Sequence, residues 1–214
     1  MKDIYERNPT DSHDKKWFSS SDDSYGYVAY DASRNNIVVA LRGTATQKNM
    51  LNNFKLQLSP YQGCRYCKVH EGFFKTYSSS KKFIMDAVQR FHAEHPSATL
   101  YVTGYSLGSV QATYCAVDLH NAGLRPNLLT FGSPRPGNKE FANYTNHLLL
   151  HELNYRVTYA NDAVTAMPLK SLRYQHVGTD VNFKLNRVDY TIELPLFSDK
   201  TYRFRPYNLS LIHI

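Results

Sequence analysis

The sequence predicts an α/β domain with a mostly parallel central sheet flanked by helices. Apolar runs of strand length alternate with helix-length amphipathic stretches, the pattern of strand-helix-strand units. The runs are short and nearly continuous, as in strands covered on both faces. Across 214 residues, 42% are hydrophobic and 20% charged, a globular balance. That length suits one domain, and no internal repeat or low-complexity linker divides it.

In chain order, Tyr25–Tyr30 and Ile37–Leu41 are rich in Val and Tyr and read as strands joined by the polar turn "DASRNN". After a loop with Pro60 and Gly63, a helical pattern runs from about Gly72 to His95 and is closed by Pro96. Leu100–Thr103 is a short buried strand, and Leu107–His120 a helix stopped at "NAG", with Gly123 as its C-terminal signal. Asn127–Phe131 returns to strand, "SPRPGN" turns, and Lys139–Leu150 reads as helix. "YRVTYANDAV" is strand then loop, while "RYQHVGTDVNF" and "DYTIEL" read as short strands at the sheet margin.

Charge and composition exclude several functions. The excess of 25 Lys+Arg over 18 Asp+Glu is scattered, with no basic block and no nucleic-acid motif, so it favours approach to an anionic interface and not nucleic acid. The first residues lack the apolar core of a signal peptide, and no apolar run has the length of a membrane span. Cys64 and Cys67 form one Cys-x-x-Cys without a second pair, which favours a short-loop disulfide or free thiols over zinc; Cys115 reads as a small core residue. His147 and His151 stand four apart but lack an acidic third ligand, so no metal is expected. Asn143-Tyr144-Thr145 is a glycosylation sequon, meaningful if the protein is secreted.

The chemistry centres on "LYVTGYSLGSVQATYCAV". A strand runs into Gly104-Tyr105-Ser106-Leu107-Gly108 and a helix follows at once, the strand-turn-helix setting of a G-x-S-x-G nucleophile elbow. A serine hydroxyl needs a rigid, exposed position and a base to become nucleophilic, and such a turn supplies the position. The Leu107 N–H, next after Ser106, is placed by geometry as one oxyanion donor. Asp118, on the helix after Ser106, reads as solvent-facing and is a poor candidate for the triad acid.

Four segments in order, "IVVALRGTATQKNMLNNF", "KVHEGFFKTY", "VTGYSLGS" with "LLTFGSPRPGNKEFANY", and "YRVTYANDAVTAMPLKSLRYQHVG", resemble the class 3 lipases, the fungal-type triacylglycerol lipases of the α/β-hydrolase fold. The resemblance spans about Tyr25 to Asp180. It implies Ser106 as nucleophile, Asp162 as the acid that orients a histidine, and the N–H of Thr44 as second oxyanion donor. It places "ATQKNMLNNF" in the lid, where Met50, Leu51 and Phe54 form an apolar helical face that opens on lipid. It implies a short disulfide loop at Cys64 and Cys67, as in some secreted members, and no cofactor. Tyr105 and Ser109 depart from the family's Gly-His-Ser-Leu-Gly-Gly, which bears on acyl preference.

The family order Ser, Asp, His leaves His176 and His213 as possible bases. His176 in "RYQHVG" matches a family histidine that is not the catalytic one, and His213 has no family context. The tail "LSLIHI" is what an in-frame read through a common transposase adapter would encode. The expectation is therefore a short, incomplete N-terminal segment over 1–24, a lipase-like domain over 25–208, and a non-native tail over 209–214, with the true base beyond Asn208.

The function expected is a serine ester hydrolase acting on lipid esters through an acyl-enzyme, at a transient lipid–water interface. It would be secreted or endomembrane if a signal peptide precedes this sequence. Phospholipase A1 and feruloyl esterase share the machinery. A lipase-like lipid-binding or interaction protein without catalysis is the alternative.

Overall fold

The structure, a computed structural model, describes residues 13–19, 24–43, 56–160, 162–183, 190–192 and 202–204. Its centre is a seven-stranded sheet: β1 (His13–Ser19), β2 (Tyr25–Asp31), β3 (Asn36–Leu41), β6 (Thr99–Tyr105), β7 (Pro126–Phe131), β9 (Asn154–Tyr159) and β11 (Thr179–Phe183), in that spatial order. β1, β2 and β3 form an antiparallel meander, and the pairings from β3 onward are parallel. The mostly parallel α/β sheet expected from the sequence is present.

Among the described residues are three α-helices, α1 (Glu71–Glu94) and α2 (Leu107–Asn121), which pack on this sheet, and α3 (Lys139–Leu148). A smaller antiparallel sheet of β4 (Leu58–Pro60), β5 (Lys68–His70), β8 (Gly137–Asn138) and β10 (Tyr174–Gln175) lies in the order β10-β8-β5-β4. β12 (Tyr190–Ile192) pairs with β13 (Tyr202–Phe204).

β1 was not expected from the sequence. Its Lys15-Lys16 masks a strand signal, yet lysine suits an edge strand, where charge discourages further pairing. Phe18 anchors β1 by burying its ring on Phe83 of α1, with centroids 5.5 Å apart.

Leu100, Val102 and Gly104 of β6 point to the face that α2 covers, in register with Ile37, Val39 and Leu41 of β3 and with Leu128 and Thr130 of β7. On this face the fully buried Ile37, Val39 and Val102 meet Ile84 and Val88 of α1 and Val110, Tyr114 and Val117 of α2. Each fully buried aliphatic side chain there contributes about 1.5–3 kcal/mol. Twelve of the fifteen residues of α2 are buried, so it is a central helix without a solvent face. α1 and α2 pack on each other as well as on the sheet.

The opposite face departs from the expectation of cover on both sides. Tyr101, Thr103, Tyr155 and Val157 are partly exposed there, and Leu129 and Tyr159 are 36% and 37% exposed. Among the described residues this face is therefore only partly covered.

Cys64 and Cys67 are joined in a disulfide. Its loop docks on Asn138, whose side chain donates to the Tyr66 carbonyl, accepts from Lys68 N–H, and caps α3 through Phe141 N–H.

Candidate active site

Ser106 stands where β6 turns into α2, with φ 54° and ψ −120°. Positive φ is rare for a side chain other than glycine and costs of order 1–3 kcal/mol, so surrounding structure must impose it. Two glycines do so by close approach. A Cβ on Gly104 would lie 2.3 Å from the Gly108 carbonyl oxygen, and one on Gly108 would lie 2.1 Å from the Leu41 oxygen. The strand, the helix start and the end of β3 thus meet backbone to backbone, and no larger residue fits at either position.

The Ser106 N–H donates to Phe131 O at 3.0 Å, which ties the turn to the end of β7. Ser109, the departure from glycine noted in the sequence, is fully buried, and its hydroxyl donates back to the Ser106 carbonyl. Ser106 is 1% exposed, against the expectation of an exposed serine, and its Oγ makes no hydrogen bond among the described residues. Such an unpaired buried hydroxyl is costly and calls for a reason.

The ends of β3, β7 and β9 surround it. A Cβ on Gly43, just after β3, would lie 3.3 Å from Ser106 Cβ and 2.9 Å from the Tyr105 oxygen, so the main chain there runs directly past the serine. Leu107 N–H opens α2 and belongs to the first turn, whose N–H groups lack partners within the helix. Asp162 follows β9 and caps the short helix Ala163–Ala166, its Oδ1 accepting from Val164 N–H at 2.9 Å. Its Oδ2 carries no hydrogen bond among the described residues. Gly132, after β7, separates Asp162 from Tyr105: a Cβ there would lie 3.3 Å from Asp162 Oδ2 and 3.1 Å from the Tyr105 ring.

Arg135 braces the segment after Asp162. Its Nη1 donates to the carbonyls of Ala166 and Pro168, and its N–H donates to Met167 O at 2.8 Å. Neither Arg135 nor Gly132 was singled out from the sequence; the position of an arginine inside "SPRPGN" is set by the carbonyls of Ala166, Met167 and Pro168, far along the chain.

The remaining candidates lie elsewhere. His176 follows β10, half-buried, and no hydrogen bond joins it to Ser106 or Asp162. Burial, then the charges of Arg156 and Arg135, push its pKa down to about 3. His70 caps α1, with Nδ1 accepting from Phe73 N–H at 3.3 Å, and burial pushes its pKa down to about 4. Asp118 does not face solvent: its carboxylate accepts from Tyr61 and Tyr77 hydroxyls at 3.1 and 2.8 Å and pairs with Lys81 at 2.9 Å. It ties α1, α2 and the loop before β5 together. Thr44, His213 and the lid positions Met50, Leu51 and Phe54 lie outside the described residues, as does the tail 209–214. Among the described residues, no three His, Cys, Asp or Glu side chains gather to hold a metal, and no helix is long and apolar enough to cross a membrane.

Ser106 thus stands at a strained strand-to-helix turn after β6, and the Asp162 carboxylate follows β9, two strands along the same sheet. The sequence model of the family described as lipase (class 3) matches residues 38–172. The chain belongs to the class 3 lipase family.

Among curated class 3 relatives, the secreted mono- and diacylglycerol lipase 1 of Fusarium solani is 35% identical over 154 residues, 72% of this chain and 46% of that protein. The secreted mono- and diacylglycerol lipase A of Penicillium cyclopium is 31% identical over 163 residues, 76% of this chain and 52% of that protein. This lipase chain therefore spans about half the length of the curated relatives it matches. Of solved structures, the Rhizomucor miehei triacylglyceride lipase superposes with a TM-score of 0.77 at 27% identity, covering 81% of this chain and 67% of that one. A triacylglycerol lipase whose catalytic centre is a serine protease triad superposes with a TM-score of 0.74 at 28% identity, covering 78% and 63%.

Proposed function

We propose that this class 3 lipase chain carries the nucleophile and acid of a serine ester hydrolase that acts on lipid esters. Ser106 Oγ attacks the ester carbonyl, and the N–H groups of Leu107 and Thr44 hold the oxyanion. Asp162 orients a histidine and stabilises its imidazolium, and water then releases the acyl group. The observation that carries this reading is the Ser106 backbone, held in a costly conformation with an Oγ that makes no structural hydrogen bond. Structure keeps such a residue for a chemical role.

Membership of the lipase family supports an acylglycerol substrate, and two relatives named as secreted, with the Cys64–Cys67 disulfide, support an oxidising, secretory route. The base in this reading is not His176: no hydrogen bond joins it to Asp162, and burial, then the charges of Arg156 and Arg135, make its imidazole hold a proton weakly.

The test uses hydrolysis of a short-chain acylglycerol in detergent micelles, with and without added imidazole to stand in for the base. Imidazole is expected to raise the rate for the wild-type chain by at least tenfold more than for Ser106→Ala. Equal rates in folded wild-type and Ser106→Ala protein would instead favour a lipid-binding module without catalysis.

A further inference from the structure

The sequon Asn143-Tyr144-Thr145 plays no part in the ester chemistry, and the fold gives it a definite setting. It lies within α3, where Phe141, Ala142 and Thr145 turn inward and are buried. Asn143 is exposed, and its side chain makes no hydrogen bond among the described residues. Its neighbours on the helix surface, three and four positions away, are Lys139, Glu140, Asn146 and His147. All four are exposed and polar, so Asn143 stands at the centre of a polar stripe with no apolar side chain to attract a partner. Such a face leaves room for a bulky hydrophilic group to stand in water.

Thr145 is the informative residue. Glycosylation of an asparagine requires a hydroxyl two positions on, so the transferase must reach both side chains at once. In α3 the Thr145 Oγ1 donates to the Phe141 carbonyl at 2.9 Å and is fully buried. Residues two apart on a helix differ by about 200° around its axis, so Asn143 points out where Thr145 points in. In an extended chain the same two side chains lie on one face. The triplet is therefore readable in the extended chain and unreadable in the folded one.

We propose that Asn143 is a site of N-linked glycosylation, modified as the chain enters the secretory pathway and before α3 forms. The proposal rests on the secretory route argued above from the named relatives and the disulfide. The donor is an oligosaccharide carried on a lipid pyrophosphate. The Asn143 amide nitrogen bonds to the anomeric carbon, the carbon–oxygen bond to the pyrophosphate breaks, the lipid pyrophosphate leaves, and the transferase takes one amide proton. Thr145 serves twice: its hydroxyl first marks the acceptor, then closes on the Phe141 carbonyl inside α3. The attached sugar keeps this face of α3 in water, away from any lipid surface that the active site meets.

The test translates the full chain, joined to a cleavable secretory leader, with endoplasmic-reticulum microsomes, and reads the mass of the protease-protected product. Because the leader imposes the route, the outcome depends on the sequon and not on the chain's natural destination. The expected result is a glycan removable by peptide N-glycosidase and mapped by mass spectrometry to the peptide with Asn143. It is lost in Asn143→Gln and in Thr145→Ala. It is kept in Asn208→Gln, which removes the other triplet without a central proline, Asn208-Leu209-Ser210. The mass is read on the translocated chain whether or not a variant folds. For the timing, the folded unglycosylated chain is given to purified transferase with the lipid-linked donor, and modification of Asn143 at least tenfold below that of the translocated chain is expected. A protease-protected chain without sugar on Asn143 would overturn the site, and equal modification of the folded chain would overturn the order of events.

Discussion

The elbow around Ser106 and the region around Asp162 sit at the same edge of one mostly parallel sheet, after β6 and β9 with β7 between them, but are held by different forces. The elbow is fixed by backbone contact: Gly104 on Gly108, and Gly108 on Leu41, with no space for a methyl group. The Asp162 region is fixed by polar bonds from distant residues: Arg135 on the carbonyls of Ala166 and Pro168, and Arg156 on Asp180. The difference teaches that the Ser106 turn is set chiefly by close backbone packing, which tolerates no added methyl, with hydrogen bonds from Ser106 N–H and the Ser109 hydroxyl in support. The Asp162 region is set by an adjustable set of hydrogen bonds, each worth a modest amount.

If that contrast holds, substitutions should act almost all-or-none on one side and by degrees on the other. Gly108→Ala is expected to have the largest effect, a destabilisation of about 3 kcal/mol or loss of folding, because the backbone of Leu41 and Arg42 would have to move away from the new methyl; urea unfolding measures it. A cost under about 1 kcal/mol would break the steric account of the elbow. Arg135→Gln should cost less, about 1.5–3 kcal/mol, as loss of charged hydrogen bonds to main-chain carbonyls. Hydrogen exchange in residues 162–168 should rise in that variant while the elbow stays protected.

Reduction of Cys64–Cys67 closes no long loop, so the loss is about 2 kcal/mol at most, read from the urea midpoint with and without reductant. Smallest is Ser106→Ala, expected to stabilise by about 1 kcal/mol, since it removes a buried hydroxyl that has no partner. A destabilised Ser106→Ala would mean that the hydroxyl has a structural role.

Stability should also fall in acid. His70 and His176 have folded pKa values lowered to about 4 and about 3, below the unfolded value near 6.5. The unfolded chain then binds more protons between those limits, so the stabilisation present above about pH 6.5 is lost as pH falls towards 4 and 3. Each histidine contributes at most about 1.4 kcal/mol per pH unit in that window. His70→Gln should flatten the urea midpoint between pH 6 and pH 4.

The same contrast explains what the sequence made legible. The elbow is local: two glycines, a strand before and a helix after lie within twenty residues, so spacing and flanks located Ser106 and α2 together. β2, β3, β6 and β7 were equally readable, because apolar runs bounded by turns are local signals. Asp162 was singled out only through the family resemblance, since an aspartate after a strand is otherwise an ordinary turn residue.

Asp118 was misplaced because its partners Tyr61, Tyr77 and Lys81 come from other elements, and a helical aspartate reads as solvated until they are seen. β1 was missed because its two lysines hide an edge strand. Arg135, Arg156 and Gly132 gave no signal, because their importance lies in what the fold brings beside them. The partly exposed sheet face was unreadable for the same reason: apolar strands predict burial but not which partner supplies it.

The most direct test of the central claim, that the Ser106 turn presents a nucleophile, is fluorophosphonate labelling in detergent micelles with imidazole present, followed by mass spectrometry of the digested protein. The account predicts one adduct, on the peptide that contains Ser106, and none there in Ser106→Ala. A folded wild-type chain with no adduct on that peptide, or one labelled to the same extent after Ser106→Ala, would contradict it.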